Sequence, residues 1–180
     1  MMALVLGGVR SGKSRFAQRV ALELSNAPVY LATSRAWDED HAARIARHRS
    51  DRGPEWMTIE EERSIARPEL AGRVVVVDCV TLWLTNLFAD SSWRPSVAWD
   101  LARMELERLM LVDATWILVS NELGSGPHAS THEGRAFVDT HGFLNQAIAA
   151  QAVAVTWMVA GIAVAIKGET LPGALRTATP

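Results

Sequence analysis

A single cysteine, Cys79, stands in 180 residues, so no disulfide can form within the chain and no oxidising compartment is demanded. Excess charge of either sign is missing too. Eighteen Lys and Arg against 20 Asp and Glu leave a formal net charge of -2, which makes no case for nucleic acid or an anionic membrane as partner. No long apolar run is present either. Residues 147–166 are broken by Gln151, Thr156 and Gly161 and read as a helix end plus a strand, not a membrane span. The opening residues lack the basic lead-in of a signal peptide. The expectation is a soluble, cytoplasmic protein without membrane insertion. No repeat, low-complexity tract or linker divides the chain, so one domain over 1–168 is expected, with 169–180 as a flexible tail.

Apolar residues make up 49% of the chain and fall in short blocks. Residues 3–6, 28–33, 73–79, 115–120 and 154–159 are apolar without alternation, which predicts strands buried on both faces of a parallel sheet. Amphipathic stretches at 13–25, from Asp38 onward, and at about 81–89, 97–112 and 133–151 supply helical crossovers. An α/β fold follows.

The first of these strands runs into Gly7-Gly8-Val9-Arg10-Ser11-Gly12-Lys13-Ser14, a complete G-x-x-x-x-G-K-[ST] phosphate loop between a strand and a helix. Glycines let successive backbone N–H groups converge on phosphate oxygens, and the helix N-terminus adds partial positive charge. Lys13 is placed to reach the β- and γ-phosphates of a purine nucleoside triphosphate, and the Ser14 hydroxyl to hold Mg²⁺. Asp78, closing the valine-rich third strand, is the matching acid for the metal, although a strand-end aspartate capping the next helix would look the same.

No Asn-Lys-x-Asp motif for reading guanine is present, and a nucleic-acid motor would need more chain and a basic face. A small-molecule kinase or nucleotidyltransferase remains, beside a plain nucleotide-binding regulator. Along the second helix His41, Arg44, His48 and Arg52 share one side. Flanking cations keep an imidazole neutral and attract phosphate, so His48 could attack a phosphorus atom; a solvated basic helix face with incidental histidines has the same pattern.

Further motifs follow in order: Tyr30-Leu-Ala-Thr-Ser34, Ala43-Arg-Ile-Ala-Arg-His-Arg49 with Arg52 and Trp56, Asp78-Cys-Val-Thr81, and Leu84-Thr-Asn-Leu87. Asn121-Glu-Leu-Gly-Ser-Gly126, Asn145-Gln146 and Ala160–Gly168 complete them. With the phosphate loop they resemble, over residues 2–168, the bifunctional adenosylcobinamide kinase / adenosylcobinamide-phosphate guanylyltransferase family of cobalamin biosynthesis. The resemblance implies a P-loop NTPase fold with a RecA-like, mostly parallel sheet flanked by helices, and a homotrimer. It also implies two reactions: phosphorylation of adenosylcobinamide from ATP or GTP, then transfer of GMP from GTP to adenosylcobinamide phosphate. His48 would carry GMP covalently. Thr33, Ser34, Arg49, Ser50, Asp51, Arg52, Glu60 and Val80 would join the loop in binding nucleotide. The chain departs from the family pattern at Pro127-His-Ala-Ser130, Val138, Ala163 and Ala165. His128, His132 and His141 are read as surface or loop residues, and Asn121 and Glu122 either as substrate or metal contacts or as loop caps. The tryptophans are read as core or subunit contacts, with the stretch around Trp83, Trp93 and Trp99 taken as the basis for assembly.

Overall fold

A computed structural model describes residues 1–35, 53–126 and 128–177. The chain runs β1 (Met2–Gly7), α1 (Lys13–Leu24), β2 (Val29–Ala32), β3 (Met57–Glu60), a 3-10 turn (Pro68–Leu70), β4 (Val74–Asp78) and α2 (Val80–Asp90). It continues through α3 (Pro95–Leu111), β5 (Thr115–Asn121), α4 (His132–Gln151), β6 (Ala154–Val159), β7 (Ile162–Lys167) and α5 (Gly173–Thr177). Among the described residues the strands form one sheet in the order β3-β2-β4-β5-β1-β6-β7, parallel except for the β6–β7 pair.

The unbroken apolar runs have a direct cause. Strand side chains alternate, and both faces of the sheet are covered. Met2, Leu4, Val75, Val77, Trp116 and Leu118 face one core with α2, α3 and α4, where Trp83, Leu84, Leu109 and Leu144 are buried. Ala3, Val5, Val76, Ile117 and Val119 face a second core with α1, through Phe16, Ala17 and Val20. This is the expected RecA-like P-loop architecture. The β4 strand that ends in Asp78 lies one strand away from β1, with β5 between them.

Two strands, β3 and β7, go beyond the expected five. Both lie at sheet edges: β3 is short and mixed in polarity, as an edge strand may be, whereas β7 is apolar from Ile162 to Ile166 and continues the apolar run of β6 across Ala160 and Gly161. The C-terminal segment also departs from expectation. Leu171, Ala174 and Leu175 bury themselves against α1 in the second core, and the Arg176 guanidinium donates to the Glu23 carbonyl at 3.1 Å. Apolar residues at 171, 174 and 175 give this short helix one face to bury, so residues 171–176 are not a free tail. Trp83 is likewise core, 1% exposed, with its Nε1 donating to the Arg63 carbonyl at 2.8 Å.

Leu175→Ala should therefore lower the unfolding free energy by about 2 kcal/mol or more, at the low end for a buried leucine because the helix is terminal. Urea denaturation followed by circular dichroism reads this, and an unchanged midpoint would return the segment to a tail.

Candidate nucleotide site

The carboxyl ends of the parallel strands form one edge, the place where open α/β sheets take ligands. In register, Gly7 of β1 pairs with Asn121 of β5, and Asp78 of β4 pairs with Ala32 of β2, which pairs in turn with Glu60 of β3. Gly7 begins the turn. A Cβ there would lie 2.5 Å from the Met158 carbonyl oxygen and 2.6 Å from Ser11 Oγ, so only glycine allows β1 to pass β6 this closely. Gly12, at φ 93°, occupies the left-handed conformation that directs the chain into α1.

The loop is braced from both sides. Glu122 N donates to the Gly7 carbonyl at 3.1 Å, and Gly161 N, in the β6–β7 turn, donates to the Ser11 carbonyl at 3.1 Å. Gly8, Val9 and Arg10 form its exposed rim, whereas Ser14 is half-buried in the first turn of α1. Two groups inside the loop favour an anion. Ser11 Oγ is buried and has no hydrogen-bond partner among the described residues. Lys13 is 8% exposed, and its Nζ donates to the Gly8 carbonyl at 2.7 Å. Burial holds the Lys13 ammonium below its ordinary pKa, opposed by the negative potential of the Asp78 carboxylate. A phosphate would offset that desolvation directly. The buried Ser11 hydroxyl, the lysine and the glycine-lined turn thus fit a nucleotide polyphosphate.

Asp78 Oδ2 accepts from the Tyr30 hydroxyl at 2.8 Å, and Tyr30 packs edge-on against Trp56, with ring centroids 6.0 Å apart. The next peptide bond, Asp78–Cys79, is cis. Thr33 clamps this strand end: its Oγ1 donates to the Cys79 carbonyl and accepts from Cys79 N, both at 2.8 Å. Cys79 is itself buried, which pushes its thiol up to about 12 and leaves it inert as a nucleophile. Val80 is fully buried at the start of α2, so only its backbone could meet a nucleotide. Ser34 is half-buried after β2, and Glu60 is exposed at the end of β3.

His41, Arg44, His48, Arg49, Ser50, Asp51 and Arg52 lie outside the described residues, as does Pro127. The segments that flank 36–52 are tied together. Asn86 Nδ2 donates to the carbonyls of Thr33 and Glu62 at 2.7 and 3.1 Å, and Arg35 Nε donates to Glu62 Oε2 at 2.6 Å.

One sequence reading needs revision, and the contacts of Asn121 and Glu122, whose roles were left open, can now be stated. His141 is not a surface or loop residue but is 1% exposed, within α4. Phe137, His141, Leu144, Asn145 and Ile148 follow helical spacing and share its inward face, which was the available signal. Glu122 acts as a loop cap, its Oε1 accepting from Gly124 N at 2.9 Å. Asn121 instead donates from Nδ2 to Thr81 Oγ1 at 2.9 Å, joining β5 to α2. Among the described residues no group of three His, Cys, Asp or Glu side chains could hold a metal by itself, and no helix is long and apolar enough to cross a membrane.

The model of the cobinamide kinase / cobinamide phosphate guanyltransferase family matches residues 3–166. The bifunctional adenosylcobalamin biosynthesis protein CobP of Pseudomonas aeruginosa is 43% identical over 181 residues, covering 95% of this chain and 100% of that protein. The bifunctional adenosylcobalamin biosynthesis protein CobU of Escherichia coli is 37% identical over 182 residues, covering 93% and 100%. Among solved structures, the flagellar accessory protein FlaH of Methanocaldococcus jannaschii is similar at a TM-score of 0.47 and 13% identity over 93% of this chain and 78% of that one, too distant to bear on the site. With a match over residues 3–166 and full-length relatives at these identities, the chain belongs to the cobinamide kinase / cobinamide phosphate guanyltransferase family.

Proposed function

We propose that this chain phosphorylates the hydroxyl of adenosylcobinamide from ATP or GTP, and then transfers GMP from GTP to the resulting phosphate, giving adenosylcobinamide-GDP and pyrophosphate. The observation that carries the reading is the complete phosphate loop at the end of β1, in a chain matched to the family over residues 3–166. The backbone N–H groups of Gly8 to Ser14 would bind the polyphosphate, with Lys13 supplying charge at the β- and γ-phosphates. Thr33, Ser34, Glu60 and the Val80 backbone stand at neighbouring strand and helix ends, within the same edge of the sheet. Mg²⁺, held through the Ser14 hydroxyl and the Asp78 carboxylate, would offset phosphate charge. Tyr30 keeps Asp78 oriented for that duty.

In the second reaction His48 is the nucleophile. An imidazole nitrogen attacks the α-phosphorus of GTP, the bond to the β-phosphate oxygen breaks, and pyrophosphate leaves. A phosphate oxygen of adenosylcobinamide phosphate then attacks the same phosphorus, the N–P bond breaks, and the imidazole is free again. Arg49, Ser50, Asp51 and Arg52 follow the nucleophile in sequence and would contact the nucleotide. The reactions belong in the cytoplasm, where the nucleotides are.

The protein works as a homotrimer on this reading. Its support is an apolar patch on the β6–β7 ribbon, where the cross-strand pairs Trp157–Val164 and Val159–Ile162 are all at least 42% exposed, with Ile166 beside them. This patch replaces Trp83 as the basis for assembly. Light scattering at micromolar concentration should give three times the monomer mass, and a monomer would overturn the trimer.

Lys13→Ala should weaken GTP binding and abolish both reactions while the circular dichroism spectrum stays unchanged. Undiminished affinity and turnover would remove the loop from the mechanism. Incubation with α-labelled GTP and Mg²⁺ should label the protein covalently, with an adduct lost in acid and stable in alkali, as a phosphoramidate requires. His48→Ala should lose the adduct and guanylyl transfer yet keep kinase activity, because γ-phosphoryl transfer needs no protein nucleophile. Label found on His41, on Lys13 or on no residue would refute the carrier assignment.

A further inference from the structure

Where β5, α2 and α4 meet, the structure buries a group of neutral polar side chains that the phosphate loop does not use. His141 Nε2 lies 3.0 Å from Thr81 Oγ1 and 3.2 Å from Ser120 Oγ, and its Nδ1 lies 3.4 Å from Asn145 Nδ2. Ser120 Oγ donates to Asn145 Oδ1 at 2.7 Å, and Asn145 Nδ2 donates to the Asn121 carbonyl at 3.1 Å. Thr81 Oγ1 accepts from Asn121 N at 3.2 Å and from Asn121 Nδ2 at 2.9 Å.

The neutral imidazole can be satisfied in either tautomer. With its proton on Nε2, Ser120 Oγ accepts it, having given its own proton to Asn145, and Nδ1 faces the Asn145 NH₂. With its proton on Nδ1, Nε2 accepts from the Thr81 hydroxyl, whose oxygen already accepts both Asn121 N–H groups. Either way His141, Ser120, Thr81 and Asn145 form one connected network, and such networks strengthen cooperatively. A second proton on the imidazole would leave it no lone pair with which to accept. Burial opposes that proton as well and pulls His141 down to about 4, so the ring is neutral at physiological pH. On its other side Phe137 stacks against the imidazole, with centroids 6.0 Å apart.

The network terminates on Asn121, and Asn121 is the register partner of Gly7, the first glycine of the loop. Its N, Nδ2 and carbonyl are all engaged, whereas Oδ1 has no partner among the described residues and is not among their buried orphans. A carboxamide held this way, one strand from the phosphates, can accept a hydrogen bond from a hydroxyl without reorganising. We infer that His141 is a positioning residue for phosphoryl transfer: through Ser120, Asn145 and Thr81 it locks the Asn121 carboxamide beside the phosphate loop, as an acceptor for the alcohol that receives the phosphoryl group. The inference rests on the kinase reading above.

Two substitutions separate this role from simple packing. His141→Leu fills a similar volume without a donor or acceptor, whereas His141→Gln keeps both. His141→Leu should lower kcat for phosphoryl transfer about tenfold or more, with nucleotide KM changed less than about threefold, and His141→Gln should recover most of the loss. In an Asn121→Ala background His141→Leu should cost less than about threefold further, because the two act through one group. Losses that multiply, or that are equal in Leu and Gln, overturn the assignment. A second readout needs no turnover. In NMR exchange the Asn121 side-chain NH₂ should be protected in the unmodified protein and exposed in His141→Leu, with β5 backbone amides equally protected in both. A carboxamide still protected in His141→Leu also overturns it. If the unmodified protein shows no kinase activity, the kinase reading fails, and the exchange measurement still decides whether His141 holds Asn121.

Discussion

The working end of this protein depends on how closely the chain can pass itself at Gly7. With the Met158 carbonyl 2.5 Å from where a Cβ would sit, any side chain at that position would push β1 from β6 or force the loop outward. Because the approach is close, Glu122 N and Gly161 N can brace the loop from β5 and from the β6–β7 turn. A loop braced at these two points presents its amides without further ordering, which is what preorganised anion binding needs. Lys13 and Ser11 are the polar groups that this geometry leaves desolvated, and both are of the type a phosphate satisfies.

Much of this was legible in the sequence, for physical reasons. A strand buried on both faces must be apolar throughout, so β1, β2, β4, β5 and β6 stood out as blocks. The phosphate loop was legible because its chemistry tolerates few residue types at fixed spacing. Edge strands β3 and β7 were not: β3 is short and mixed in polarity, and β7 continues the apolar run of β6 with only Ala160 and Gly161 between them. The docking of Leu171 and Leu175 was hidden by Pro172 and Gly173 between and beside them, which read as a fraying end. His141 was misplaced because a histidine between threonine and glycine looks solvated until its i+4 partner Asn145 is considered. Such burial is a property of the helix face, and no single residue announces it.

The site also shows a division of labour between backbone and side chain. On the proposed reading, phosphate binding falls to backbone amides, which every residue except proline supplies. Orientation of the acids and amides around it is entrusted to hydroxyls: Tyr30 on Asp78, Thr33 on Cys79 and Thr81 on Asn121. Each hydroxyl both donates and accepts or can rotate to do so, which lets short side chains join strand ends that the ladder itself leaves unpaired.

The ties between Asn86, Thr33 and Glu62, and between Arg35 and Glu62, have a consequence for how a change is transmitted. They fasten the residues that enter and leave the stretch 36–52 to one another and to α2. Because a single carboxamide, Asn86 Nδ2, serves the carbonyls on both sides, its loss would release both flanks from α2 together, from a position outside the stretch.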